Sequence, residues 1–230
     1  MDIPILYEDK DLIVCQKPVG VLSQPDTTGT GEDMLSLLSE KNEGKPVYLV
    51  HRLDRGVGGV MVFAKHQGAA ARLSAAVAEH RVVKQYLAVV HGRPTESRGV
   101  LKDLLYKDRA AGKSFVVDRM RKGVKEASLS YVTLATREDS PYGEISLLQI
   151  RLHTGRTHQI RVQFSSRGLS LVGDGKYGAR DHGCPIGLWS YRLSFTHPFG
   201  KGKTVDVCAL PEGRSPFDLF ETVCTVDDFS

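Results

Sequence analysis

The chain has 230 residues, 41% hydrophobic and 25% charged, an ordinary globular composition with enough length for one large domain and a real core. Its 31 Lys and Arg stand against 27 Asp and Glu, a formal net charge of +4, too small to identify a nucleic-acid binder on its own. Four cysteines at 15, 184, 208 and 224 have no CxxC spacing, which indicates neither a zinc site nor a redox pair and fits free thiols in a reducing cytosol.

The opening stretch MDIPILYEDKDLIV lacks the basic segment and long apolar run of a signal peptide, and no stretch approaches the roughly 18 apolar residues of a membrane-spanning helix. A cytoplasmic protein is expected. Residues 3–7 and 11–16 are short apolar runs split by Glu8, Asp9 and Lys10, which predicts a hairpin. Lys17-Pro18 stops strand pairing and Gly20 permits a turn. In residues 32–41, Met34, Leu35, Leu37 and Leu38 gather on one side of a helix. Residues 60–65 read as a strand, the alanine-rich 68–80 as a helix and 82–90 as another strand. Residues 102–125 are rich in Lys and Arg and read either as a solvated loop or hairpin or as a nucleic-acid contact surface.

In residues 145–152, Leu148, Ile150 and Leu152 alternate with Gln149 and Arg151, predicting a strand with one buried face. A turn at Thr154-Gly155 leads into a helix over 157–166, with His158 and Arg161 sharing a face and Ile160 and Phe164 pointing inward. Residues 188–197 and 204–209 read as two final strands, and 216–223 as a short closing helix. The expected fold is α+β: a mixed, mainly antiparallel central sheet with flanking helices. It is expected as a single domain over 1–230 with a basic insertion around 102–125.

Two stretches suggest chemistry. VHRLDRGVGG, residues 50–59, sets Arg52, Asp54 and Arg55 in front of a glycine turn, followed by the apolar run Val60 to Ala64. That is a charged constellation held at the edge of a core. RLHTGRTHQIRVQF, residues 151–164, places Arg161 beside a buried stripe, a plausible partner for Asp54. An arginine favours the ionised carboxylate, which in a sheltered cleft can serve as nucleophile or base. A structural Asp–Arg bridge explains the same pattern, and composition and spacing do not choose between the two.

The motifs resemble one family. HRLDR followed by Gly59 and VMVFAK is similar to the catalytic motif of RluA-type pseudouridine synthases. KQYLAVVHG is similar to their second motif, and TGRTHQIRVQF with LVGDGKYG to their third. ILYEDKDLIVCQKPVGVLSQP resembles their opening segment and LWSYRLSFTHP their closing one. The resemblance covers nearly the whole chain in the expected order. It departs in three places: Val57-Gly58-Gly59 stands where the family usually has Thr-Ser-Gly, Gln163 where a histidine is frequent, and no S4-like RNA-binding domain is expected ahead of the catalytic domain.

The resemblance implies isomerisation of specific uridines to pseudouridine in rRNA or tRNA. The base is cut from its sugar, turned and rejoined through carbon. Nothing is oxidised, so no cofactor and no metal are expected. Asp54 is implied as the catalytic carboxylate acting at the sugar carbon, by attack or as the base of an elimination. Tyr86 is implied against the uracil ring and Arg161 as the partner of Asp54. Arg52, His51 and Arg55 are implied in RNA binding, with Arg52 either filling the place of a uridine drawn from its stack or contacting the phosphate. Ile150 and Leu152 are implied as an apolar wall for the base, and Arg156 and His158 as further RNA contacts. Lys107, Arg109, Lys113, Arg119, Arg121 and Lys122 become a surface for the RNA backbone. A monomer is expected. The alternative is an RNA-binding protein of the same fold without catalysis. A hydrolase is a third reading, but no GxSxG elbow is present.

Overall fold

The structure is a computed structural model, and it describes residues 1–26, 29, 31–181 and 183–221. These fall into two compact units, Met1–Lys84 with Trp189–Leu210, and Gln85–Leu188 with the chain from Pro211 onward.

In the first unit, β1 (Ile5–Glu8) and β2 (Leu12–Lys17) form the expected hairpin. Its turn is fixed by Asp9, whose Oδ1 accepts the amides of Asp11 and Leu12. α1 (Met34–Lys41) starts where Asp33 accepts the amides of Leu35 and Ser36, a capping arrangement that stabilises a helix by about 1 kcal/mol. β3 (Tyr48–Leu49) and β2 both pair antiparallel with β4 (Gly58–Ala64). α2 (Gln67–Ala78) buries Ala69, Leu73 and Ala76, spaced by four and three residues along one face. Near the end of the chain, β10 (Leu188–Thr196) lies parallel to β4, and β11 (Thr204–Cys208) folds back antiparallel on β10. Val14, Val60, Val62, Leu73, Leu193 and Phe195 pack this unit's core.

The second unit takes over within β5 (Val83–His91). Its strands run in the order β5, β9 (Ile145–Leu152), β8 (Val124–Arg137), β6 (Arg98–Asp108), β7 (Lys113–Val117). The pairs β6–β7, β6–β8 and β8–β9 are antiparallel. The basic middle of the sequence is therefore a β-hairpin at a sheet edge. α3 (Gln159–Ser165) lies on this sheet, Val162 packing with Leu105 and Ala127.

Three local expectations are corrected. β9 is buried on both faces, since Gln149 and Ser146 are as inaccessible as Leu148 and Ile150. Covered strands lose the alternation of a half-exposed one, and polar residues survive there by bonding, as Ser146 does to the carbonyl of Gly92. α3 is shorter than 157–166, and His158 stands outside it as a left-handed cap with φ 53°. It therefore does not share the helical face of Arg161. The closing helix is a single 3₁₀ turn, Phe217–Leu219, and residues 222 and 223 of that expectation lie outside the described residues.

Candidate active site

The segment carrying Asp54 has no strand or helix of its own, so its shape depends on bonds to neighbours. Ser23 clamps the preceding residue twice, donating to the Leu53 carbonyl at 2.8 Å and accepting the Leu53 amide at 3.0 Å. The Val57 amide closes a turn on the Asp54 carbonyl at 3.0 Å. Arg55 is tied at both ends of its backbone turn: its carbonyl accepts the Gly20 amide and its Nε donates to the Gly20 carbonyl. Asp54 is left half-buried between exposed Arg52 and exposed Arg55.

Beneath this turn lies Lys17, a fully buried lysine absent from the sequence-based candidates. Its ammonium donates to the carbonyls of Val21 at 2.6 Å, Pro18 at 2.8 Å and Arg55 at 3.4 Å. Burial pushes its pKa down to about 8, and the negative charge of Asp54 works against that shift. Asp54 therefore sits in the field of a sheltered cation supplied by its own unit. The signal was present as Lys17-Pro18, but a lysine at a strand end reads as solvated unless the fold is known to cover it.

His51 is a structural residue by its contacts. Its Nε2 accepts the Val62 amide at 3.2 Å, and burial, with the cation of Lys84 as the lesser cause, pushes its pKa down to about 3. It is a neutral acceptor that fixes the start of the Asp54 segment against β4.

The glycines after Asp54 answer to β10. Gly59 has φ 116°, and a Cβ there would lie 2.1 Å from the Ser190 carbonyl oxygen. A Cβ at Gly58 would lie 2.4 Å from the ring of Trp189. The replacement of the usual Thr-Ser pair by Val57-Gly58 therefore matches a large buried ring on the paired strand, with the Trp189 indole bonded to the Ala209 carbonyl.

In the second unit, Tyr86 is buried on β5 and Arg161 is buried on α3. Asp174 grips the Arg161 guanidinium with both oxygens, Nε to Oδ2 at 2.7 Å and Nη2 to Oδ1 at 2.8 Å. Tyr177 packs its ring 5.1 Å from the guanidinium carbon. Such a fork-to-fork pair fixes the orientation of an arginine as well as its charge. Asp174 was not among the sequence-based candidates, although LVGDGKYG carries it. Its turn needs Gly173, where φ is 75° and a Cβ would lie 2.4 Å from the Pro185 carbonyl oxygen.

The remaining candidates take varied places. His158 Nδ1 meets the Tyr177 hydroxyl at 2.9 Å, and that hydroxyl accepts the Ser114 amide of β7. Arg156 donates Nε to the Glu126 carbonyl. Ile150 is fully buried and Leu152 half-buried. Gln163 donates to Asp103 at 2.7 Å and so ties α3 to β6. Among the described residues, one group has metal-ligating chemistry: Asp9, Asp11 and His197 offer ligand atoms within 4.8 Å of one another. Their hydrogen bonds are already committed, with His197 and Tyr7 on Asp9 Oδ2 and His66 on Asp11. Burial alone would raise the Asp9 pKa, but bonds from Tyr7, the Asp11 and Leu12 amides and His197 outweigh it and hold it at about 2. The group knits the β1–β2 turn to the ends of its unit.

A carboxylate turn over a buried ammonium is an arrangement an enzyme can use at one reacting atom. Comparison with known proteins makes this specific. The model of the RNA pseudouridylate synthase family matches residues 11–166. A protein of Aquifex aeolicus (strain VF5) called an uncharacterized RNA pseudouridine synthase is 35% identical over 217 residues, covering 85% of this chain and 66% of its own length. Ribosomal large subunit pseudouridine synthase D of Zymomonas mobilis is 33% identical over 225 residues, covering 89% of this chain and 68% of its own. The solved structure of human RNA Pseudouridylate Synthase Domain Containing 1 superposes with a TM-score of 0.75 at 24% identity, over 91% of this chain and 83% of that one. The chain belongs to the RluA-type RNA pseudouridine synthase family. It spans about two thirds of the length of these curated relatives. Among the described residues no helix is long and apolar enough to cross a membrane.

Proposed function

We propose that this protein is an RNA pseudouridine synthase acting on specific uridines of rRNA or tRNA, with Asp54 as its catalytic carboxylate. The observation that carries the reading is the Asp54 turn, clamped by Ser23 and Gly20 over the Lys17 ammonium. A carboxylate held at fixed geometry in the field of a sheltered cation is prepared for repeated use at one carbon atom. The two compact units together serve as one catalytic domain in this reading, and the protein works as a cytoplasmic monomer without cofactor or metal.

The target uridine leaves its stack, and Arg52 or its neighbour Arg55 takes up the RNA at the vacated place. Asp54 acts at the ribose C1′ as the bond to uracil N1 breaks, either by adding to C1′ or by removing a sugar proton. Uracil turns against Tyr86, C5 bonds to C1′, and the C5 proton departs to a base, a role that fits the Tyr86 oxygen. Arg161, held by Asp174, positions the carboxylate. Ile150 and Leu152 line the base, and His51, Arg156 and His158 support the RNA-facing loops. The Lys/Arg-rich hairpin meets the phosphates.

The test is tritium release from RNA labelled at uracil C5, run on bulk ribosomal and transfer RNA separately. Wild type is expected to release tritium from one pool, while Asp54→Asn folds, binds RNA and releases none. Arg161→Ala is expected to lose at least about tenfold in rate and some stability, because Asp174 is left buried without its partner. Binding without release by wild type from either pool would replace this reading with that of a non-catalytic RNA-binding protein.

A further inference from the structure

Strands β6, β7 and β8 present two faces. One is covered: Leu105, Val116 and Ala127 pack against Val162 of α3 and against Tyr177. Residues directly opposite on paired strands share a face, and successive residues alternate. The other face therefore carries Tyr106 opposite Phe115, with Leu104 opposite Val117 in the next row. This face is open. Phe115 is 41% exposed and Val100, farther along β6, is 55% exposed. Tyr106, Leu104 and Val117 are half-buried.

Two aromatic rings side by side on an open sheet face offer a flat apolar surface on which planar groups can stack. Their surroundings select the occupant. Arg121 lies 5.4 Å from the centre of the Tyr106 ring, and the Lys113 ammonium 5.7 Å from that of Phe115. Lys102 stands on this same face and Arg109 in the β6–β7 turn, whereas Lys107 and Lys125, opposite Ser114 and Leu105, belong to the covered face. An apolar protein partner would have to desolvate these cations, whereas an anionic chain bearing planar groups satisfies both features at once. In the rows beside the rings, a cleft of about 560 Å³ is lined by Leu104, Val117, Asp118, Glu126 and Ser128, with Lys102 also on its wall. Carboxylates there repel phosphate but accept hydrogen bonds from base N–H groups. The cations around this face can hold an anionic backbone, while the rings and the cleft's polar groups offer bases stacking and hydrogen-bond partners.

We propose that the Tyr106–Phe115 pair is a stacking platform for unpaired bases of the RNA substrate. The proposal rests on the RNA-modifying reading above for the identity of the ligand, but its test does not need turnover. Base–aromatic stacking contributes about 1–3 kcal/mol per base, or roughly 5- to 150-fold in affinity.

Anisotropy titrations would compare a short single-stranded RNA with the same strand carrying abasic sites at its central positions. Wild type is expected to prefer the base-bearing strand at least about fivefold. Phe115→Ala and Tyr106→Ala should each erase much of that preference while leaving abasic-strand affinity and melting temperature nearly unchanged. Phe115→Trp should restore it. The chain's only tryptophan, Trp189, is 1% exposed, so quenching of the introduced indole by the base-bearing strand alone would report stacking directly. Equal affinity of wild type for both strands, a preference untouched by Phe115→Ala, or an indole indifferent to bases would each overturn the platform and leave a surface that reads charge only. Tritium release without base preference would sink the platform alone. Base preference without tritium release would sink the catalytic reading alone.

Discussion

Lys17 is the residue whose chemistry is most altered by its place. Free lysine holds its proton to about pH 10.4, whereas Lys17 releases it at about 8. Below pH 8 the cation stands beneath the Asp54 turn; above it the field is lost. Turnover is therefore expected to fall as pH rises through about 8. Stability should move the other way. Between 8 and the unfolded pKa the unfolded chain binds more protons than the folded one, so the fold gains stability with rising pH. Measuring tritium release and chemical denaturation over the same pH series checks both signs. Lys17→Arg, which stays charged, should remove the alkaline limb if it folds; a limb unchanged in that variant would assign it to another group. His51 obeys the same linkage at the acid end. Its neutral form accepts the Val62 amide, so protonation costs the fold that bond.

At the scale of elements, the β4–β10 pairing decides what may follow Asp54. Trp189 faces Gly58 and Ser190 faces Gly59 across a parallel ladder. Restoring the family's hydroxyl by Gly58→Ser should therefore destabilise this protein by about 1–3 kcal/mol, the usual cost of forcing atoms into a packed interior. A urea titration followed by far-ultraviolet circular dichroism would register it, and Gly58→Ser should cost much less in a Trp189→Leu background than in the wild type. If Gly58→Ser alone were neutral, the ring would not be the reason for the departure. The β6–β7 hairpin is the second telling element. Its inner face makes core, its outer face carries the Tyr106 and Phe115 rings with Lys102 and Lys113, and the alternation of a strand allows both.

For the whole molecule, a net charge of +4 hides an uneven distribution. Residues 102–125 hold Lys102, Lys107, Arg109, Lys113, Arg119, Arg121, Lys122 and Lys125 against only Asp103, Asp108 and Asp118. RNA binding is therefore expected to weaken steeply with salt, with a log–log slope that reports the phosphates neutralised. Replacing Arg119, Arg121 and Lys122 together by Ala should lower that slope by about 2 and leave the fold intact, since all three are exposed. A slope unchanged in the triple variant would put the backbone path elsewhere on the molecule.

Much of the fold was legible because it rests on local patterns. The β1–β2 hairpin, the capped α1, the alanine-rich α2 and most of the strands follow from apolar spacing and turn residues, and HRLDR singled out Asp54 as a candidate. What the sequence left open depends on partners far along the chain. Lys17 meets Arg55 across 38 positions, and Trp189 faces Gly58 across a parallel pairing. Arg161 and Asp174 are only 13 positions apart, yet a glycine turn has to fold Asp174 back before they meet. The full burial of β9 was hidden for the same reason: burial belongs to what covers a strand, not to the strand. The sequence by itself determined which segments fold and which carboxylate lies at a glycine turn, because both are set by neighbours along the chain. The tertiary structure alone decided which charges are sheltered, which glycines are obligatory and which sheet face stays open, because those depend on atoms brought together only when the chain closes on itself.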